Sequence, residues 1–221
     1  MKIIGLVASP HGEKSSTRRL VSAVLEGAKK AGAQIELVDL AKARIGYCVA
    51  CGTCYKTGVC PIPDEFNGIH ARVKTADGVV WGSPDYFQSV SAQMKTYIDR
   101  QADCIHCQMM DGKYGCAVSV AGGPSYLEVV EYLNGVFMAM GGSAVGGLGA
   151  STSIPGSMES AEIKARDLGG ELVKSIASRR VYPEQEPIHR EMRERFKHLV
   201  NLNKDVWAHE FNFWKDKGWL Q

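Results

Sequence analysis

Five times along this chain a short apolar run, most often stopped by a cluster of glycine, serine or proline, gives way to apolar residues at helical spacing, and few architectures accommodate that alternation. Ile3 to Ala8 reads as a buried strand, and from Ser15 onward Leu20, Val21, Val24, Leu25 and Ala28 recur on one helical face. Ile35 to Leu40 gives a second strand and Asp64 to Lys74 a second helix. Gly78 to Trp81 is a third strand running into Gly82-Ser83-Pro84, with helical pattern from Ser91 to Arg100. Cys116 to Val120 is a fourth strand, followed by Ala121-Gly122-Gly123-Pro124 and a strongly apolar helix from Tyr126 to Met140. Ser143 to Leu148 supplies a weaker fifth strand, and Met158 to Ile176 the closing helix. Strand–helix units in series require a parallel sheet covered on both faces, so residues 1–180 are read as one α/β domain. Ligands of such a sheet bind beyond the carboxyl ends of its strands, where the loops rich in Gly, Ser and Pro fall.

A chain of 221 residues has room for that domain and an appendage. Residues 181–221 are read as a C-terminal helical extension: Pro183 and Pro187 mark a break, Arg190 to Asn203 is a charged helix, and Trp207, Phe211, Phe213, Trp214 and Trp219 form an aromatic tail. So many aromatics in so short a stretch cannot all face water; they either pack on their own domain or clamp a neighbouring subunit. Lys+Arg 26 against Asp+Glu 24, with no long basic run, argues against nucleic acid as a partner. The first apolar run is too short for a signal-peptide core or a membrane span, which leaves the expectation of a soluble, cytoplasmic protein.

Between the first strand and helix lies Ser9-Pro10-His11-Gly12-Glu13-Lys14-Ser15-Ser16-Thr17. A helix start offers unpaired N–H groups and a positive dipole end, and hydroxyls add donors, so a phosphate is the natural ligand. Gly12-Glu13-Lys14-Ser15 is like the end of a P-loop, but that motif's first glycine would fall at Val7, which argues against a nucleoside triphosphate. Ser15 or Ser16 as a plain helix cap is the simpler alternative.

Seven cysteines in a reducing compartment point to metal or redox chemistry rather than to disulfides. Four of them, Cys48, Cys51, Cys54 and Cys60, crowd into the loop at 45–63, where Gly52, Gly58 and Pro61 argue against regular structure. Thiolates at that spacing can surround a [4Fe–4S] cubane, one per iron. Structural zinc and free thiols are the alternatives, and zinc is disfavoured because its four-cysteine sites usually come as two separated pairs. Cys104, Cys107 and Cys116 are a second group, read as buried structural cysteines, with a dithiol or partial metal site as the alternative. His189, His198 and His209 are read as solvated or structural.

The turn Gly82-Ser83-Pro84-Asp85-Tyr86, with Gln93-Met94-Lys95-Thr96-Tyr97-Ile98-Asp99-Arg100 behind it, resembles the NADPH-dependent FMN reductase and flavodoxin-like superfamily. The cysteine segment, with Asp64 after it, is similar to that of the iron–sulfur flavoproteins. The resemblance implies a flavodoxin-like sheet of order 2-1-3-4-5 carrying FMN. Its phosphate would lie at Ser9, His11, Ser15, Ser16 and Thr17, and its ring beside Pro84, Asp85, Tyr86, Phe87, Ala121, Gly122 and Gly123. Cys48, Cys51, Cys54 and Cys60 would be the cluster ligands. His11 and Asp85 depart from the family pattern, which more often has Arg and an apolar residue there.

The function these readings imply is an FMN-dependent oxidoreductase. It would take electrons from NAD(P)H or a reduced ferredoxin and pass them to a quinone, a flavin or an oxygen species. A pure electron carrier and a metal-free NAD(P)H:FMN or quinone reductase are the alternatives. The cysteine loop needs a surface against which to exclude water, so a homodimer or homotetramer is expected, with each cluster near an interface.

Overall fold

The computed structural model describes residues 1–220. Strands β1 (Lys2–Val7), β2 (Gln34–Asp39), β3 (Gly78–Pro84), β4 (Tyr114–Ala121) and β5 (Ser143–Ser151) pair in parallel throughout, in the order β2-β1-β3-β4-β5. This is the flavodoxin-like arrangement expected from the sequence. Helices α1 (Ser16–Lys30) and α7 (Ser157–Ser178) cover one face, packing Leu20, Val24 and Leu172 on Ile3, Val7 and Val80. The other face is covered by α3 (Phe66–Thr75), α4 (Ala92–Asp99) and α6 (Tyr126–Ala139), whose Phe66, Tyr97 and Phe137 pack on Ile4, Val79 and Trp81. The two clusters divide alternate residues of β1, β2, β3 and β4, as the pleat requires. Helices α1 and α7 meet almost backbone to backbone: a Cβ on Gly27 would lie 1.9 Å from Arg166 O, and one on Gly169 2.0 Å from Val24 O.

Three elements differ from the sequence reading. β5 runs on to Ser151: Gly146, Gly147 and Gly149 dilute its apolar pattern, but the ladder to β4 continues beyond a register shift at Val145. The cysteine loop is not wholly irregular: Gly52 (φ +69°) and Gly58 (φ +73°) take left-handed conformations that bracket a one-turn helix, α2 (Thr53–Thr57). A second short helix, α5 (Ala102–His106), follows α4.

The extension forms α8 (Glu186–Leu202), with Pro187 in its first turn, where a missing N–H costs nothing, and α9 (Ala208–Asp216). Its aromatics pack on their own chain. Trp214, 1% exposed, joins Phe196 and Val200 in a third cluster with Ile105, and its Nε1 donates to His106 O at 2.9 Å. Of the two uses open to the tail, the intrachain one is realised, and α9 lies against α2. Among the described residues no helix is long and apolar enough to cross a membrane.

Candidate functional site

The strand order sets the carboxyl ends of β1, β3 and β4 side by side, and hydrogen bonds tie their loops together. Ser91 Oγ caps α4 and donates to Ala8 O at 2.6 Å, while Ser83 Oγ accepts from Ser91 N at 2.9 Å. Asp85 N donates to Val120 O at 3.0 Å, and Asp85 Oδ2 accepts from Ser125 Oγ.

In the β1 loop Ser9, Ser15 and Thr17 are buried, Ser16 is half-buried and His11 is exposed. Ser15 Oγ accepts from Arg18 N at 3.1 Å, so it is an N-cap, as the simpler alternative had it. A capping hydroxyl accepts through a lone pair and keeps its own proton to donate, so capping and anion binding are compatible. The N–H groups of Ser16 and Thr17 lead the helix and have no acceptor within it. Thr17 turns its methyl toward Gly82, 3.4 Å from where a Cβ would stand there, so it supports the loop from behind.

After β3, Pro84 is buried at the strand end, and the chain then doubles back in a two-residue turn. Tyr86 N donates to Ser89 O at 2.9 Å and Ser89 N to Tyr86 O at 3.1 Å, with Phe87 at φ +53° and Gln88 at φ +59°. Two consecutive non-glycine residues in the left-handed region cost about 1–2 kcal/mol each, and Phe87 is fully exposed on top of that strain. Asp85 Oδ1 is buried with no partner. Across from it Ala121 is buried, while a Cβ at Gly122 or Gly123 would meet nothing within 4 Å. An orphaned acceptor, an open glycine floor and a helix start therefore converge on one edge, which suits a planar group bearing N–H donors and a phosphate. That edge fits FMN.

The cysteine loop leaves β2 on the same edge. Cys48, Cys51, Cys54 and Cys60 line a single small pocket, with Tyr55 and Arg100. Cys60 is pinned by a reciprocal pair: its N donates to Asn67 Oδ1 at 3.3 Å and its O accepts from Asn67 Nδ2 at 2.7 Å. Arg100 Nε donates to Cys60 Sγ at 3.2 Å. A hydrogen bond with Thr53, at 3.5 Å, holds the Cys51 thiol below the usual range. Burial, with Asp103, Cys60 and Glu210 nearby, pushes Cys54 up to about 12. Among the described residues no three His, Cys, Asp or Glu side chains are grouped as for one metal ion. Four cysteine thiolates, one per iron, are the donor set that a [4Fe–4S] cluster takes.

The surface that covers α2 comes from the same chain, while Cys48 and Cys51 stay exposed. Tyr55 of α2 packs at a tilt against His106 and Trp207, both at 4.9 Å between centroids, and His106 stacks on Trp207 at 5.1 Å. His106 Nδ1 sits 3.0 Å from both carboxylate oxygens of the fully buried Glu210, whose carboxyl burial pushes up. The ring of His209 fills the space where a Cβ on Gly58 would stand, so it is structural, as the sequence suggested. Tyr55, His106, Glu210 and Arg100 were not legible as site residues. Only Arg100 carried a signal, its place in the Asp99-Arg100 helix end. The remaining cysteines are buried: Cys104 packs with the α3–α4–α6 layer and Cys116 with the α1–α7 layer, and burial raises all three thiols, Cys116 to about 12.

A fold and an edge of this kind define an FMN-binding flavodoxin-like oxidoreductase, and comparison with known proteins agrees. Residues 1–154 match the family model described as NADPH-dependent FMN reductase, and the chain belongs to that family. It is 31% identical to an iron-sulfur flavoprotein of Archaeoglobus fulgidus, over 100% of both chains. It is 38% identical to an iron-sulfur flavoprotein of Methanocaldococcus jannaschii, over 54% of this chain and 62% of that one. Among solved structures, an NAD(P)H:quinone oxidoreductase from Methanothermobacter marburgensis superposes with a TM-score of 0.61 at 20% identity, covering 78% of this chain and 96% of that one. An archaeal flavodoxin gives 0.56 at 13%, covering 80% and 99%. These two show the fold.

Proposed function

We propose that the protein draws electrons from NAD(P)H or a reduced ferredoxin into FMN and passes them through a [4Fe–4S] cluster on Cys48, Cys51, Cys54 and Cys60. The acceptor is a quinone, a flavin or an oxygen species. The observation that carries this reading is that all four cysteines wall one pocket on the sheet edge that also presents the flavin loops. When bound, FMN supplies two-electron exchange with a nicotinamide and one-electron exchange with a cluster.

The chain's own residues divide the work. Ser9, His11, Ser15 and Ser16 hold the phosphate at the start of α1, and Thr17 backs that turn. Asp85, tied to Ser125, offers its free oxygen to an N–H of the ring. Pro84, Tyr86, Phe87, Ala121, Gly122 and Gly123 shape the ring's bed, and the open face is left to the donor. α9 keeps water from Cys54. Tyr47, Val49 and Val59, exposed at 77%, 68% and 55% around the cysteines, support assembly as a homodimer or homotetramer that covers the loop's outer side.

The test is an anaerobic titration of reconstituted protein with NADPH, NADH and a chemically reduced ferredoxin. Bleaching of flavin followed by the broader iron–sulfur absorption is expected with at least one donor. Flavin that bleaches with no second component would leave a metal-free reductase.

A further inference from the structure

We infer that Arg100 is a positioning residue that raises the reduction potential of the cluster held by the four cysteines; the inference rests on the reading of that loop proposed above. Arg100 follows α4, whose other end is capped by Ser91 among the flavin loops, and its side chain is wholly excluded from solvent. All three of its nitrogens donate. Nε donates to Cys60 Sγ at 3.2 Å, Nη1 to Gly46 O and Asp64 Oδ2, both at 2.8 Å, and Nη2 to Asp64 Oδ1 at 3.2 Å. The guanidinium carbon stands 4.5 Å over the Phe66 ring.

Every hydrogen-bond partner belongs to the cysteine segment or to the turn that closes it, so a helix rooted beside the flavin delivers a buried cation to one particular thiol. A guanidinium stays charged at any working pH, and its planar fork fixes the N–H···S direction in a way an ammonium could not. The charges around the pocket are asymmetric. Asp103 and Glu210 act on the Cys54 side, whereas Arg100, balanced by Asp64, stands at Cys60.

Cluster reduction adds one electron and no proton, so the negative charge of the iron–sulfide–thiolate unit grows by one. Hydrogen bonds to ligand sulfur and nearby positive charge favour that more negative state, and both are levers by which a protein sets such potentials. Asp64 works in the opposite direction, by compensating the cation.

The experiment is a redox titration, followed by electron paramagnetic resonance, of the full chain reconstituted with iron, sulfide and FMN, with iron and flavin assayed on each sample. Arg100→Gln is expected to shift the one-electron equilibrium at least tenfold toward the oxidised form, 59 mV downward. Arg100→Lys keeps the charge but loses the fork, and is expected to recover part of that shift. Asp64→Asn leaves the cation uncompensated and is expected to move the potential upward. Should Arg100→Gln fail to assemble, the Lys and Asn variants decide by the sign of their shifts. Variants with wild-type iron content and unchanged potential, or a downward shift in Asp64→Asn, would overturn the inference. Wild-type protein that takes up no iron would instead overturn the reading of the cysteine loop.

Discussion

The loops after β1, β3 and β4 stand open, with Phe87 fully exposed on a strained turn and bare space above Gly122 and Gly123. The loop after β2 is roofed over α2 alone: α9 lays Trp207 and Glu210 against Tyr55 and His106, while Cys48 and Cys51 stay exposed. Both leave the same edge of one sheet, yet under the proposed function they serve different tasks. A flavin that must meet a diffusing donor needs an open face. A cluster that only exchanges electrons works through a wall and gains from exclusion of water.

The comparison breaks most sharply if one loop can be emptied without touching the other. Cys51→Ala is expected to abolish cluster iron while FMN binding stays within a factor of about two, since the two sets of contacts share no side chain; iron and flavin assays on the same sample check it. Trp214→Ala tests the roof. Deleting this buried ring should cost about 3–5 kcal/mol in a denaturant melt and speed the loss of iron to a chelator, again with FMN affinity unchanged. If iron loss does not quicken, α9 is a structural prop and not a shield. Ser16→Ala sharpens the open side with the smallest change: about 1 kcal/mol, roughly a fivefold loss in affinity for FMN and none for riboflavin. Equal losses for the two ligands would move the phosphate away from this loop.

The two regions also differed in how far the sequence disclosed them. The sheet and the turns after β1 and β3 were legible because Ile3 to Ala8 and Gly78 to Trp81 are nearly continuous apolar runs that end in recognisable turns. Strand β5 was legible only in part, its glycines thinning the signal. In the cysteine loop the spacing of the thiols was legible and the helix between them was not: Gly52 and Gly58, read as breakers, are the left-handed caps of α2. The roof was out of reach. Aromatic composition states that a surface must be covered, not which one, and the His106–Glu210 pair that fixes it spans 104 residues. Arg100 shows the same limit at shorter range. It reads as a helix end, and only the folded chain brings its guanidinium back across 40 residues to Cys60.

The claim that one sheet edge carries two redox centres is tested most directly by the stoichiometry of anaerobically reconstituted wild-type protein, with FMN, iron, acid-labile sulfide and zinc measured against chain concentration. The account predicts about one FMN with about four iron and four sulfide per chain and no zinc, the content of a single cubane. One FMN with a single zinc, or with four freely titrating thiols and no iron, would contradict it.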